Sequence, residues 1–326
     1  MKEATQQQQR TAALRASHNA QSRSINNTDN DDTTGTIEER NMRMFHRGPD
    51  LLRCKHPHPR DDSIRFEEKE HRYSVDWDNK KEFTYDRIIS VSKVYKDYFS
   101  EFDADAVITK MMESKKWPQS KYYGLDAGQI KLQWSTLGNA ASAAGSAHHL
   151  ICESYYNGMP PASPHTKVVG QFMDFAKDHD HLTPFRTEWV LRSNADHLLC
   201  GTPDMIFVSP NHRPDNDTLL LSVYDWKNSK KIQKFNPWDK GTVPFADLPD
   251  CNYFHYAIQL NIYKYILENF YAPMTVDGVT YSRIKIDKMF LVVMHDNRDK
   301  YLKLLLPNYQ DRIKLVFENR KQELVK

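Results

Sequence analysis

The sequence has no pair of cysteines at metal-ligand spacing: Cys54, Cys152, Cys200 and Cys251 stand singly. That excludes a zinc-finger type of site and a disulfide framework, and makes a reducing, intracellular compartment the default. Also missing is any run of eighteen apolar residues, so no membrane span is predicted, and the first residues lack the apolar core of a secretory signal. A G-x-x-x-x-G-K-[ST] loop is absent, and with it a built-in ATP motor. Net charge is nearly absent too, at +2 with a pI near 8.2. Whole-chain charge is therefore silent about nucleic acid, and local clusters must carry that argument. There is no internal repeat.

What is present is a chain of 326 residues, 39% of them hydrophobic, enough for a substantial core. Residues 1–60 read as a disordered polar tail, because Gln6 to Gln9 and the Ser, Thr, Asn and Asp-rich stretch after them offer little apolar surface to offset chain entropy. Lys2, Arg10, Arg15 and Arg23, with only Glu3 acidic before Asp29, are also compatible with an organellar transit peptide. The compartment stays open among nucleus, cytoplasm (an infected cell included) and mitochondrion. Order is predicted from near Ile64, with a polar-rimmed hairpin over 72–86 and a helix over 103–112.

Two further helices are predicted, over 134–156 and 168–179. The first opens with the small residues GNAASAAGSA, which permit close backbone packing; the second carries an apolar stripe suited to covering a sheet. Strands are predicted over 186–192, 201–208 and 219–227, with the polar 209–218 stretch as a hairpin loop between the last two. A helix over 253–271, strands over 288–295 and 301–306 and a last helix from 309 complete the pattern. Mixed strands covered by helices indicate an α/β or α+β domain with one core.

The chemistry gathers at the end of the third strand, in YDWKNSK. Side chains alternate along a strand, so Asp225 and Lys227 share a face with Val223 and Leu221, while Trp226 and Tyr224 share the other. Alone, such a pair is compatible with a solvated rim ion pair of little worth. GTPDMIF, however, places Asp204 at the start of the neighbouring strand. If the two strands pair, Asp204 and Asp225 approach at one end of the sheet, where two carboxylates are stable together mainly around a cation. Mg²⁺ or Mn²⁺ suits such a site, and Lys227 beside it can orient or deprotonate a water and offset charge on a phosphate.

Glu188 on the preceding strand is a candidate further carboxylate, or an ordinary rim glutamate. His149 and Glu153, four apart, lie on one helix face, as do Gln259 and Tyr263; either pair is also compatible with plain helix packing. His148 points about 100° away from His149 and is the weaker candidate.

Taken in order, these residues resemble the PD-(D/E)XK nuclease superfamily, in its RecB-like exonuclease branch. That branch includes nuclease domains of bacterial recombination complexes, the CRISPR-adaptation nucleases and the mitochondrial genome maintenance exonuclease. The family pattern G-x-x-x-H-x-x-x-E falls on Gly145, His149 and Glu153, G-x-x-D on Gly201 to Asp204, D-x-K on Asp225 and Lys227, and Q-x-x-x-Y on Gln259 and Tyr263. Glu188 falls on an acidic position before the central hairpin. The resemblance covers roughly residues 70–310.

It implies a restriction-endonuclease-like PD-(D/E)XK core, a central mixed sheet flanked by helices with an N-terminal helical elaboration. This would be a single domain over 61–326, helical to residue 180 and catalytic beyond. It further implies a metal held by His149, Asp204, Asp225 and Glu153, with Lys227, Asp204, Asp225, Glu188, Gln259 and Tyr263 as the catalytic set. Some relatives hold an iron–sulfur cluster through cysteines beyond the Q-x-x-x-Y helix; with none after Cys251, that cluster is not expected here. Asn228 stands where many relatives have threonine.

From Asp225 to Lys240 lie five lysines and two aspartates, +3 locally, with Phe235 and Trp238 interspersed. This composition suits a single-stranded nucleic acid, with Lys230, Lys231 and Lys234 on phosphates and Trp238 against a base; a solvated loop with apolar anchors has the same composition. The expected function is a metal-dependent DNA nuclease, an exonuclease on single strands or exposed ends by analogy with the branch. A structure-specific or nicking endonuclease, a non-catalytic DNA-binding subunit of a repair or packaging complex, and RNA cleavage remain alternatives. Replication or recombination proteins are the expected partners.

Overall fold

The computed structural model describes residues 51–67, 70–159 and 166–325. A short helix α1 (Leu51–Lys55) and a 3-10 turn (Pro59–Ser63) lead into a hairpin of β1 (Ile64–Glu67) and β2 (Arg72–Val75). There follow β3 (Ile89–Ser90) and the helices α2 (Val91–Val94), α3 (Ala104–Met112), α4 (Ala127–Tyr156) and α5 (Lys167–Asp178). Next come β4 (Thr183–Thr187), β5 (Leu191–Arg192), β6 (Leu199–Gly201), β7 (Met205–Val208) and the long β8 (Thr218–Asn228). Helix α6 (Asn252–Phe270), a hairpin of β9 (Met274–Val276) and β10 (Val279–Tyr281), then β11 (Arg283–Met294), β12 (Leu302–Leu305) and α7 (Gln310–Val325) complete the described chain.

The central sheet is mixed, in the order β12-β11-β8-β7-β4, with β8 and β11 parallel and the other pairs antiparallel. Its two faces are both covered, which is why β8 reads as an almost unbroken apolar run. Leu221, Val223, Leu291 and Val293 pack with α6 residues such as Ala257 and Leu260 on one side. Tyr224, Trp226, Met205 and Phe207 pack with Phe172 and Phe175 of α5 and Cys152 of α4 on the other. The alternation expected along β8 is therefore what separates the two cores. Beside this sheet, β6 lies between β3 and β5 in a smaller one. No described helix is long and apolar enough to cross a membrane.

Local chemistry explains most boundaries. Helix α4 begins at Ala127, earlier than the predicted 134, because Asp126 and Gln129 cap each other's backbone N–H at 2.8 and 3.0 Å. Helix α5 starts where the Thr166 hydroxyl accepts from Val169 N–H, and its buried stripe of Val168, Phe172 and Phe175 covers the sheet as predicted. The predicted strands over 186–192 and 201–208 are each broken in two. Glu188 has φ +40°, and Thr202 to Asp204 form a loop between β6 and β7.

Two expectations need correction. Structure begins before residue 61, for helix α1 already spans Leu51–Lys55. His56 and His58 are buried and packed on Phe185 and Tyr271, and Asp61 pairs with buried Arg186 at 2.9 Å, contacts that no local apolar run announces. The disorder and transit-peptide readings for residues 1–50 lie outside the described residues. Second, the small residues opening α4 are not a tight packing surface: 137–144 are exposed, and a methyl group on Gly138 or Gly145 would have nothing within 4 Å.

Candidate metal centre

Strands β7 and β8 pair antiparallel with Met205 opposite Tyr224, so Asp204 and Asp225 meet at one end of the sheet. Trp226 between them wires the site with its main chain. Its N–H donates to Asp204 Oδ2 at 2.7 Å, and its carbonyl lies 3.0 Å from His149 Nε2. A carbonyl only accepts, so Nε2 carries the proton in that bond and Nδ1 is turned toward the acids. There it lies 3.5 Å from Glu188 Oε1 and 3.6 Å from Asp204 Oδ2.

His149, Glu188 and Asp204 each place one ligand atom so that all three fall within 4.8 Å of one another. A histidine that gives its far nitrogen's proton to a backbone carbonyl and points the near nitrogen at two carboxylates is in the arrangement of a metal ligand. Glu188 Oε1 and Asp225 Oδ1 are buried without a hydrogen bond from the chain, while Asp225 Oδ2 has the Lys227 ammonium. Buried, unsatisfied carboxylate oxygens are costly, and a divalent cation meets that need. One nitrogen and two oxygens form a donor set that fits Mn²⁺ and, less readily, Mg²⁺, which prefers oxygen throughout.

The electrostatics are those of a crowded acidic site. Burial pulls the His149 imidazole down, but Asp204 and Glu188 more than offset it and bring it up to about 9. Burial and the neighbouring Asp204 charge push Asp225 up to about 6 against the pull of Lys227, and burial raises Asp204 as well. Lys227 Nζ lies 2.6 Å from Asp225 Oδ2 and 4.8 Å from the centre of the Tyr256 ring. Burial opposes its charge, but Asp225 and Asp204 prevail, so the ammonium holds its proton far above neutral pH.

The structure thus brings His149, Asp204 and Glu188 into one cluster, with Asp225 and Lys227 beside it. Glu153 is not among the converging side chains. It shares the His149 face of α4, but four residues move it about 6 Å along the axis. Asp225 is likewise outside the three-residue cluster and instead holds Lys227. His148 points away, with Nε2 at 3.1 Å from Met294 Sδ in the core. Gln259 donates to the Tyr263 hydroxyl at 3.0 Å, and Tyr263 is buried against Gly201. A methyl group on Gly201 would lie 2.7 Å from Tyr263 Cε1 and 2.8 Å from Val91 Cβ. The pair therefore supports the Gly201–Asp204 turn and touches neither carboxylate by hydrogen bond.

The basic loop after β8 presents its groups to solvent. Lys230, Lys231 and Lys234 are exposed, the last with Nζ 4.4 Å from the Tyr253 ring centre. Phe235 and Trp238 are 73% and 86% exposed, so they do not anchor the loop. Asn236 Oδ1 accepts from Trp238 N–H at 3.0 Å, and Asn236 Nδ2 is held by the Asp250 carbonyl, which fixes the turn that displays Trp238.

Some contributors escape sequence reading. The Tyr73 hydroxyl is 3.1 Å from Thr202 Oγ1 and steadies the same turn. The φ of Glu188 lies in the left-handed region, which costs a non-glycine residue about 1–2 kcal/mol. Its N–H donates to the Asp204 carbonyl at 3.0 Å, which joins the two acidic segments. Trp226 acts through main-chain atoms, so only its place between Asp225 and Lys227 could have signalled it.

No protein-family model matches the chain, and no curated protein matches it. Among solved structures, that of a protein called SSO0001 aligns over 74% of this chain and 79% of that one, at 14% identity and a TM-score of 0.30. A likeness so slight carries no argument about fold or activity.

Proposed function

We propose that the chain is a divalent-metal-dependent nuclease of the PD-(D/E)XK type, acting on DNA with single-stranded character or exposed ends. The observation that carries this reading is the convergence of His149, Glu188 and Asp204 around one point, with the Asp225–Lys227 pair beside it on the adjoining strand. When bound, a Mn²⁺ or Mg²⁺ ion supplies Lewis acidity toward a phosphodiester and a water of lowered pKa.

The protein's own residues do the rest. Asp204 and Glu188 would hold the cation with His149 Nδ1, and the Trp226 carbonyl fixes the imidazole's tautomer. Lys227, an ammonium held beside Asp225, is suited to stabilise charge on the phosphate oxygens and to orient a water. Asp225 keeps that ammonium in place. Lys230, Lys231 and Lys234 contact the phosphate backbone and Trp238 stacks on a base, since exposed aromatics among lysines are the usual surface for a single strand. Paired buried charges with unsatisfied oxygens are a poor way to stabilise a fold, which favours a working site over a non-catalytic binding subunit.

The test is incubation with end-labelled linear and closed circular single-stranded DNA in Mn²⁺ or Mg²⁺, beside a Lys227→Ala variant and an EDTA control. Loss of linear DNA only, abolished by K227A, is expected and marks an end-dependent enzyme. Cutting of the circle assigns an endonuclease using the same site. Intact DNA in every lane, with binding retained, overturns the catalytic reading.

A further inference from the structure

We propose that Asp61 is a positioning residue for the metal centre: it clamps the two residues on either side of the Thr187–Glu188 step and so holds the Glu188 carboxylate at the cluster. This rests on the metal-centre reading above.

The geometry is specific. Asp61 Oδ2 accepts from Arg186 Nη1 at 2.9 Å, and its Oδ1 accepts from Trp189 Nε1 at 2.8 Å. Arg186 and Trp189 bracket Glu188 in sequence, and their own side chains stack, the guanidinium carbon 4.5 Å from the indole centre. One carboxylate, 125 residues away from Arg186 in sequence, therefore fixes both ends of the segment in which Glu188 takes its left-handed φ. The Asp61 side chain is only 8% exposed and that of Arg186 4%, so water does not compete for the contacts.

Asp61 is itself held. Its Oδ2 also accepts from His58 N–H at 3.0 Å, and His58 Nε2 reaches the Tyr271 carbonyl at 3.1 Å. The residue between the clamp points is fixed separately, for Thr187 Oγ1 accepts from Asn157 Nδ2 at 2.9 Å at the end of the helix that carries His149. Asp61 touches none of the cluster's ligand atoms. Its effect passes through the backbone of Glu188. Outer contacts that orient a ligand typically change metal affinity by about 10- to 100-fold when removed.

The test measures Mn²⁺ binding by the electron paramagnetic resonance of free Mn²⁺, on the full chain and well below each variant's unfolding temperature. Wild type, Asp61→Asn, Trp189→Phe, Glu188→Gln and the Asp61→Asn/Glu188→Gln double variant are compared. Asp61→Asn should weaken Mn²⁺ binding about tenfold, and Trp189→Phe should weaken it in the same direction by less. In the Glu188→Gln background Asp61→Asn should have no further effect on Mn²⁺, although its lowering of the melting temperature persists. A folded Asp61→Asn protein with wild-type Mn²⁺ affinity overturns the proposal, as does an equal loss in both backgrounds. Should Asp61→Asn not fold, Trp189→Phe with and without Glu188→Gln decides by the same criteria. A wild-type protein that binds no Mn²⁺ overturns the metal-centre reading and the brace with it, and shows this before any variant is compared.

Discussion

Replacing Gly201 by alanine tests the link between the acidic turn and the helix beneath it. The new methyl group would lie 2.7 Å from Tyr263 Cε1 and 2.8 Å from both Cβ and Cγ2 of Val91, far inside carbon–carbon contact. Neither neighbour can retreat into solvent: Val91 is fully buried and Tyr263 is 3% exposed, with its hydroxyl tied to Gln259 at 3.0 Å. Overpacking of this kind costs about 1–3 kcal/mol, and two rigid neighbours place Gly201→Ala near the upper end. For a folded unit of this size the melting temperature should fall by roughly 5–10 °C. Asp204 lies three residues on, so Mn²⁺ affinity should fall with it. Urea unfolding and Mn²⁺ titration measure the two effects. Gly145→Ala is the control: it has nothing within 4 Å to meet and sits inside a helix, where alanine is favoured by up to about 1 kcal/mol. It should leave stability unchanged or raised. Gly201→Ala within about 0.5 kcal/mol of wild type would refute the steric reasoning.

Three further outcomes are expected. Because His149 holds its proton to about 9, Mn²⁺ must displace it. Affinity should therefore rise about tenfold per pH unit from 7 toward 9 and then level, with one proton released per ion in calorimetry across buffers of different ionisation enthalpy; pH-independent binding contradicts this. Glu188→Gln should weaken Mn²⁺ binding at least about tenfold while Glu153→Gln changes it less than about twofold, and the reverse order would return Glu153 to the cluster. Lys227→Ala should cost on the order of 10²–10³ in cleavage rate with Mn²⁺ affinity kept or raised, since a competing cation is removed; loss of metal binding would make Lys227 structural.

The parts of the site that the sequence made legible are those governed by a fixed period. A strand alternates every two residues, so the separation of Tyr224 and Trp226 from Val223, Asp225 and Lys227 could be read directly, and so could the meeting of Asp204 with Asp225 once the loop was taken as a hairpin. Helical spacing likewise put Gln259 over Tyr263. Periodicity gives the face of a helix but not the depth along it at which another segment arrives. It therefore offered Glu153 with His149, while the tertiary structure brought Glu188 there from the break between β4 and β5.

That choice depends on a backbone conformation no local pattern favours, φ +40° at a glutamate. Its neighbours are fixed by Asp61, 125 residues before Arg186 and at the very edge of the predicted domain, in no motif that links it to the site. Trp226 contributes an N–H and a carbonyl, groups that every residue except proline possesses, so nothing in its identity could signal the role. The identity of the acids and the lysine thus indicates the chemistry, whereas the selection of the third ligand lies in polar contacts between distant segments. Motif spacing names both Glu153 and Glu188, and it is the tertiary contacts that bring Glu188 into the cluster with His149 and Asp204.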